Sequence, residues 1–445
     1  MQWFKIILVA VLLPHLFLSG CDGGSSGDTN YAMGTVTKLG SVYVNGVRYH
    51  TNSATVTLDD SIVTDSQVLG MPVVVSSSSS NQASTVTAKT VVKGKITSIN
   101  ADGTSMVVLG QTIRLDDGAT VSGITPAVDV LVEVTGLVKP GGVIVASTVE
   151  GKSALTGYKV MGYITSVDTG AKTFVIGGLT VNYGSATLSD MGSGPAVDML
   201  VEVKAASDST PLAASTVEQY GPGVSSASHI EVEGYVKGFS GSNPNFSFTV
   251  SGVDVTTNSS TTFEFGATAY LADNIKVEVE GSMSNGTLTA SKVSLRDSIR
   301  VEGDMTGKNG NSFNIDGMAG ISFTVDSNTE YNSTTDAYTD FSDNDQLRLR
   351  GVPTGATSVL VTRMDDRNPD STVYLRGPIS NETGNNVTVL GITVDVTTLT
   401  SRHNLDDSTM TNSEFLAAVG VGSPVKVSGT ITGGTITWNQ IELED

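Results

Sequence analysis

Four short phrases follow one another between residues 162 and 217: Gly162-Tyr163-Ile164-Thr165, Phe174-Val175-Ile176-Gly177-Gly178-Leu179-Thr180-Val181, Val201-Glu202-Val203 and Ala214-Ser215-Thr216-Val217. In the third phrase apolar and charged residues alternate strictly, and a period of two places successive side chains on opposite faces of a β-strand. We therefore expect Val201 to face a core and Glu202 to face solvent. On this interpretation Val201→Asp should unfold its domain, whereas Glu202→Lys should cost little.

The same phrases recur along the chain at intervals of about 70 residues. Each copy opens on a glycine followed by a variable, an apolar and a polar residue. The opening glycines are Gly34, Gly94, Gly162, Gly234, Gly303 and Gly377. Self-similarity at a fixed period indicates tandem structural units. We expect six β-domains, at residues 32–91, 92–157, 158–228, 229–298, 299–370 and 371–445.

Each domain contains roughly five short runs rich in β-branched and aromatic residues, which predicts an all-β fold. Units of ~70 residues are smaller than the ~100 of an immunoglobulin-type sandwich, and this favours small antiparallel β-barrels of the OB or a related Greek-key type. Barrel closure would remove exposed strand edges. Because the connections are short, we expect a fairly stiff string of separate barrels, in which a fragment such as residues 158–228 folds alone.

Two local signals refine this prediction. Asn45-Gly46 and Asp316-Gly317 are pairs typical of two-residue hairpin turns. A single helix of one or two turns is expected at residues 412–419, with Asn412 or Ser413 as its cap.

Residues 1–20 predict a secretory signal peptide, since Lys5 precedes a short apolar run. That run is too short to span ~30 Å of hydrocarbon as a helix. The sequence Leu18-Ser19-Gly20-Cys21 resembles the bacterial lipobox, which implies cleavage before Cys21 and diacylglycerol on its sulfur. Cys21 is the single cysteine, so no internal disulfide can form. Residues 21–31 would then be a lipidated, flexible tether; the alternative is an ordinary cleavage site with an incidental thiol.

The acidic composition limits the possible partners. With 25 Lys and Arg against 45 Asp and Glu, the formal charge is −20. Nucleic acid would be repelled because no basic surface is available to displace its counterions, and it is therefore excluded as a partner.

Few residues have the spacing of a catalytic or metal site. Beyond residue 20 the chain retains His50, His229 and His403, none beside a recognisable nucleophile and acid, so we expect no enzyme, no catalytic residue and no cofactor. His50 and His403 are expected at a strand end and in a polar loop. His229 and Glu231, two residues apart, would share one strand face as half of a metal site without a third ligand.

An acidic insertion offers candidate calcium ligands: Asp336, Asp340, Asp343 and Asp345. Their spacing does not match the Asp-x-Asp-x-Asp-Gly loop, which favours a solvated loop and no metal site. A second acidic stretch, at residues 365–370, has the same two interpretations. Nearby aromatic residues, Tyr331, Tyr338 and Phe341, could form a platform for a sugar ring.

The complete pattern resembles a known family. Gly-x-[Ile/Val]-Thr, strand-Gly-strand, Val-x-Val-x-Gly and Ala-Ser-x-Val are similar to the tandem β-domains called domain of unknown function 5666, which occur in bacterial lipoproteins and other exported proteins. The resemblance covers nearly all of the chain after residue 20 and is best in the second to fourth domains. It implies a fold and no particular activity.

Together these features predict a lipid-anchored protein of the bacterial cell envelope with a non-catalytic structural or protein-binding role. Its partners would be the membrane, through the N-terminal lipid, and another envelope protein; no small-molecule substrate is identified. The outer membrane is favoured over the inner, with the domains on its periplasmic or surface-exposed face. The alternative is a calcium-assisted adhesin or glycan-binding surface lipoprotein.

Overall fold

The computed structural model describes residues 29–444 except 39–40, 60, 79, 101–102, 116–118, 265–267, 269–270, 296–297, 327–328, 332–336, 370 and 405–407. The described chain is all-β, as predicted, and its strands form six successive groups, here called domains 1 to 6. Three 3₁₀ turns accompany them, at Asp65–Val68, Tyr338–Asp340 and Val396–Thr398.

The first three domains contain these strands. Domain 1 has β1 (Asn30–Lys38), β2 (Val42–Val44), β3 (Val47–Tyr49), β4 (Thr55–Leu58), β5 (Ser61–Ile62), β6 (Pro72–Ser77) and β7 (Ala83–Ala88). Domain 2 has β8 (Val92–Ile99), β9 (Ser105–Val108), β10 (Gln111–Arg114), β11 (Thr120–Ser122), β12 (Leu131–Val138) and β13 (Val143–Lys152). Domain 3 has β14 (Tyr158–Asp168), β15 (Thr173–Ile176), β16 (Leu179–Asn182), β17 (Thr187–Ser189), β18 (Leu200–Ala205) and β19 (Leu212–Gln219).

The last three domains repeat this order. Domain 4 has β20 (Ala227–Ser242), β21 (Asn245–Val250), β22 (Val253–Thr256), β23 (Thr262–Glu264), β24 (Lys276–Ser284) and β25 (Thr287–Leu295). Domain 5 has β26 (Ile299–Asn309), β27 (Ser312–Ile315), β28 (Ser322–Thr324), β29 (Glu330–Tyr331), β30 (Gln346–Gly355) and β31 (Ser358–Asp366). Domain 6 has β32 (Thr372–Thr383), β33 (Asn386–Val389), β34 (Ile392–Asp395), β35 (Ser401–His403), helix α1 (Asn412–Ala418), β36 (Pro424–Thr432) and β37 (Thr435–Leu443).

Strand pairing in domain 4 shows how a barrel closes. β20 pairs with β21, β21 with β22, β22 with β25, β25 with β24, and β24 returns to β20. The β22–β25 contact is parallel and the others are antiparallel, which gives a closed five-stranded Greek-key ring of the OB type. Equivalent rings close in domain 2, domain 3 and domain 5. The predicted OB-like architecture is confirmed, although its strands are not all antiparallel.

Each domain also contains a short strand that the sequence did not suggest. In domain 4 it is β23, which runs parallel to the end of β25. β4, β11, β17, β29 and β35 occupy the same place in the other domains. Strands of two to four residues are too short to display a period of two, so their pairing depends on the barrel around them.

The local turn and helix signals had different outcomes. Asn45 and Gly46 join β2 to β3 with φ angles of 53° and 79°, as a type I′ hairpin requires. Asp316-Gly317 does not form a two-residue hairpin, because β27 ends at Ile315 and β28 begins at Ser322. Helix α1 begins at Asn412, and its cap is Thr411 instead of Asn412 or Ser413.

Neighbouring barrels share β-sheets, so the expected string of separate barrels is wrong. The opening strands of two domains pair directly: β8 with β14 and β26 with β32, both antiparallel. β1 of domain 1 pairs in parallel with β20 of domain 4. The result is three sheets of 13, 12 and 12 strands, each spanning two domains. Domains 2 and 3 share one apolar core, and domains 5 and 6 share another.

This pairing buries charged residues that alternation assigns to solvent. Val201 is fully buried, as predicted, but the Glu202 side chain is only 2% exposed. The register of β18 is therefore correct, and the expected exposure of Glu202 is wrong. The outward face of a strand that joins two barrels is covered by a neighbouring domain. Other carboxylates on these strands are buried as well: Glu231, Glu233, Glu278 and Glu302.

The glycine between the two hairpin strands of a repeat also contributes to docking. Gly110, between β9 and β10, accepts a hydrogen bond from the Gly178 amide of domain 3 at 2.8 Å. Its φ is +70°, and a Cβ there would lie 2.8 Å from the Gly178 carbonyl carbon. A side chain at Gly110 would therefore strain the turn and separate the two domains.

Candidate functional site

The seam between domains 1 and 4 brings a histidine and two carboxylates together. His229 and Glu231 lie two residues apart on β20, and Glu280 on β24 is opposite Glu231 in the antiparallel register. His229 Nε2 is 3.6 Å from Glu231 Oε1. One possible ligand atom from each of the three residues lies within 4.8 Å of the other two.

Glu280 is the member of this group that the sequence pattern alone does not single out. It lies in Val277-Glu278-Val279-Glu280-Gly281, a copy of the third phrase in which alternation alone assigns the charged residues to the outward face. The first and third phrases of a repeat form adjacent strands of its barrel, here β20 and β24. The register of that pair places Glu280 beside Glu231. The sequence does contain a signal for this contact. The opening stretch and the third phrase of this repeat are both acidic, and their carboxylates are expected to lie side by side once the order of the strands is known.

Glu231 lies in an unfavourable environment for a lone carboxylate. The residue is 6% exposed. Burial, followed by the nearby charges of Glu278 and Glu280, raises the pKa of Glu231 to about 7. The charge of Lys292 and a side-chain hydrogen bond with Asn45 oppose this rise, and the Oε2 atom lacks a partner of regular hydrogen-bond geometry. Glu280, by contrast, forms an ion pair with Lys292, whose Nζ is 2.5 Å from Glu280 Oε2.

Domain 1 covers this cluster. In the parallel β1–β20 register Ala32 lies beside Glu231, so both side chains are on the same face of the sheet. Ala32 belongs to the buried core of domain 1, and so does Tyr49. Burial, and after it the charge of Glu231, raises the pKa of the Tyr49 hydroxyl. Glu231 therefore projects out of barrel 4 and towards the core of domain 1.

A second cluster of buried charges joins domains 1, 2 and 3. Asp59, in the turn between β4 and β5, lies 2.7 Å from Lys93 Nζ of domain 2 and 2.9 Å from Lys159 Nζ of domain 3. Lys159, with a side chain 4% exposed, also lies 3.0 Å from Glu202. Burial opposes ionisation of Asp59, but the charge of Lys159 and hydrogen bonds from Lys93 and Lys159 hold the pKa of that carboxyl well below its usual range. This cluster joins three domains through ion pairs.

The other two histidines lie elsewhere. His50 directly follows β3 and forms an isolated parallel bridge with Gln82, in agreement with its predicted position at a strand end. His403 belongs to strand β35 and not to a polar loop, because residues 401–403 pair in parallel with β37. Neither belongs to the His229 group.

The candidate calcium ligands interact with backbone amides. Asp340 accepts a hydrogen bond from Ala337 N, Asp343 from Lys308 N and Asp345 from Ser342 N, at 3.3, 3.0 and 2.7 Å. Asp336 and Asp370 lie outside the described residues. Asp365 accepts from Arg363 Nε at 2.9 Å. In the described chain these carboxylates stabilise turns and a strand end, and the expectation that they bind no calcium stays a prediction.

The aromatic residues of the same insertion pack inside domain 5. Phe341 is 1% exposed, and its ring centroid is 5.9 Å from that of Tyr331. Tyr338 packs at 6.0 Å against Phe313, a core residue of the barrel. Of the two interpretations of these rings the structure favours packing, because Phe341 lies in the core and is not available to stack on a sugar.

The repeat observed in the strands matches a family of proteins. The family described as "Domain of unknown function (DUF5666)" matches residues 93–150, 161–218, 228–294 and 376–442, more than half of the chain. The chain belongs to the DUF5666 family. Each matched range runs from the opening strand of a barrel to its closing strand, so one DUF5666 unit corresponds to one barrel. No curated protein matches the chain.

The predicted signal peptide and the predicted lipid anchor at Cys21 lie outside the described residues. In residues 29–444, where the structure describes them, no helix is both long and apolar enough to cross a membrane.

Proposed function

We propose that this DUF5666 protein is a non-catalytic scaffold of the bacterial cell envelope, attached to a membrane through lipid on Cys21 and holding another envelope protein. The observation that carries the proposal is the sharing of sheets between barrels. Independent barrels would be held only by their short connections, whereas a sheet shared by two barrels fixes the orientation of each barrel relative to its neighbour. Fixed orientation is what a scaffold requires.

The order of the domains supports this role. β20 of domain 4 pairs with β1 of domain 1, although domains 2 and 3 lie between them in the sequence. β1 directly follows the proposed N-terminal tether. The buried ion pairs of Asp59 connect domains 1, 2 and 3 in addition. Arg114 of domain 2 lies 3.2 Å from Glu444 in domain 6. These contacts favour a compact assembly next to its anchor over an extended arm.

Anchoring is tested by the substitution Cys21→Ser. Lipid attachment requires the sulfur of Cys21, so the variant should leave the membrane fraction and lose incorporation of radiolabelled palmitate. Ser19→Ala is the matched control, since it keeps a small residue in the lipobox-like sequence and should retain both properties. Recovery of Cys21→Ser in membranes, with the same palmitate label as the unmodified sequence, would contradict the proposal.

The scaffold role is tested by crosslinking in intact cells. A scaffold should yield one envelope protein in constant ratio to this chain, and Cys21→Ser should reduce that yield because it removes the chain from its membrane. Crosslinks spread over many abundant proteins in no fixed ratio would contradict a specific partner.

A further inference from the structure

The His229 cluster has a composition that favours one class of cation. It offers one imidazole nitrogen and two carboxylates. Calcium takes six to eight oxygens, whereas zinc and related divalent transition metals bind His nitrogen together with Asp or Glu oxygen. We propose that His229, Glu231 and Glu280 bind a divalent transition metal of the zinc type at the seam between domains 1 and 4.

The distances are close to those that coordination requires. Ligand atoms ~2.0–2.2 Å from a tetrahedral metal lie about 3.4 Å from one another. His229 Nε2 and Glu231 Oε1 are 3.6 Å apart, and Glu280 completes the group within 4.8 Å. Glu280 is 27% exposed at its side chain, so rotation about its own bonds can close the remaining gap. Three protein ligands leave a fourth position for water.

The charge balance also favours a cation. Two of the proposed ligands are carboxylates, Glu231 and Glu280, which lie opposite each other in the β20–β24 pair. Lys292 is paired with Glu280 Oε2, and its side chain is 31% exposed. One lysine does not balance the two opposed carboxylates, and the Oε2 atom of the buried Glu231 lacks a partner of regular hydrogen-bond geometry. A divalent ion would supply both the missing charge and the missing contact.

The position of the site predicts what the metal does. Its ligands tie β20 to β24, and β20 is the strand that pairs with β1 of domain 1. An ion that binds the folded protein and not the unfolded chain stabilises the folded state. Metal binding at this seam should therefore stabilise domain 4 and its sheet with domain 1.

The test uses the untagged full chain after removal of metals by a chelator. Calorimetric titration with Zn²⁺ should give one equivalent bound per chain, and thermal unfolding should shift upwards by several degrees. Co²⁺ should give the intense visible absorption of a tetrahedral site. Ca²⁺ and Mg²⁺ at the same concentration should give neither effect.

Variants locate the site. His229→Gln, at a side chain 37% exposed, should fold with the same metal-free unfolding midpoint and lose Zn²⁺ affinity at least tenfold. Glu280→Gln should also weaken binding. The matched controls His403→Gln and Glu382→Gln should bind Zn²⁺ as the unmodified chain does. No measurable Zn²⁺ binding, or binding that His229→Gln leaves unchanged, would overturn the proposal.

Discussion

Single charged residues hold several domains of this protein at once. The Asp59 carboxylate accepts a hydrogen bond from Thr90 N at 3.1 Å and contacts lysines of two other domains. Glu202 lies 3.3 Å from Lys89 and 3.0 Å from Lys159. A buried charge without its partner costs several kcal/mol. Each of these carboxylates therefore destabilises any arrangement in which the neighbouring domains do not bring their lysines to it.

Glu202 gives a test at this scale. Glu202→Lys would place a fourth amine beside Lys89, Lys159 and Lys204 in a buried seam, and should cost about 3–5 kcal/mol. Val201→Asp should cost at least as much, because it puts an unpaired charge in the apolar core. Denaturant unfolding followed by circular dichroism measures both.

The control for that pair is Asp208→Lys, which makes the same change of charge at an exposed position of domain 3. It should alter stability by less than about 0.5 kcal/mol. If Glu202→Lys were as mild as the control, Glu202 would face solvent and the shared seam would be incorrect.

At the scale of elements, strand pairs and turns depend on different information. The alternation in β18 and β24 specifies which residues face the barrel interior, and the structure agrees. Helix α1 is specified locally. Thr411 Oγ1 accepts from Glu414 N at 3.3 Å, and Glu414 Oε2 accepts from Thr411 N at 2.8 Å, which forms a capping box one residue before the predicted cap.

The cap is tested by Thr411→Ala. Loss of an N-cap costs about 1 kcal/mol, which corresponds to roughly fivefold faster amide exchange when a helix opens locally. Hydrogen exchange by mass spectrometry should show this acceleration in residues 412–418 and not in the barrel strands. Ser413→Ala is the control and should leave exchange unchanged. The reverse result would assign the cap to Ser413.

At the scale of the whole molecule, the pairing of domains determines stability. Domains 2 and 3 share a core and a strand contact, whereas domains 3 and 4 follow one another without pairing their opening strands. Cutting between domains 2 and 3 would expose the apolar surface that Val92 and Val160 bury together. A single barrel should therefore be less stable than a pair that shares a sheet.

Three fragments test this expectation. Residues 92–228 should unfold in one transition at a higher denaturant concentration than residues 158–228, because the pair retains its shared core. Residues 158–298, also two domains long, should gain less over residues 158–228. Equal unfolding midpoints for the three fragments would show that the barrels are independent after all.

The sequence by itself determined the β-strands, their inward faces, the repeat and the OB-like class of barrel. These follow from short-range patterns: a period of two in Val201-Glu202-Val203, a turn at Asn45-Gly46, and phrases that recur in each unit. It also identified His229 and Glu231, because both lie on one strand. Tertiary structure alone decided that opening strands pair between domains, that Glu202 is buried, and that Glu280 completes the His229 group. The physical reason is twofold. Pairing between opening strands uses backbone hydrogen bonds, which almost any β-strand edge can make, so the sequence does not specify the partner strand. Alternation within a strand shows that its two faces differ, but it does not show whether solvent or another domain covers the outward face.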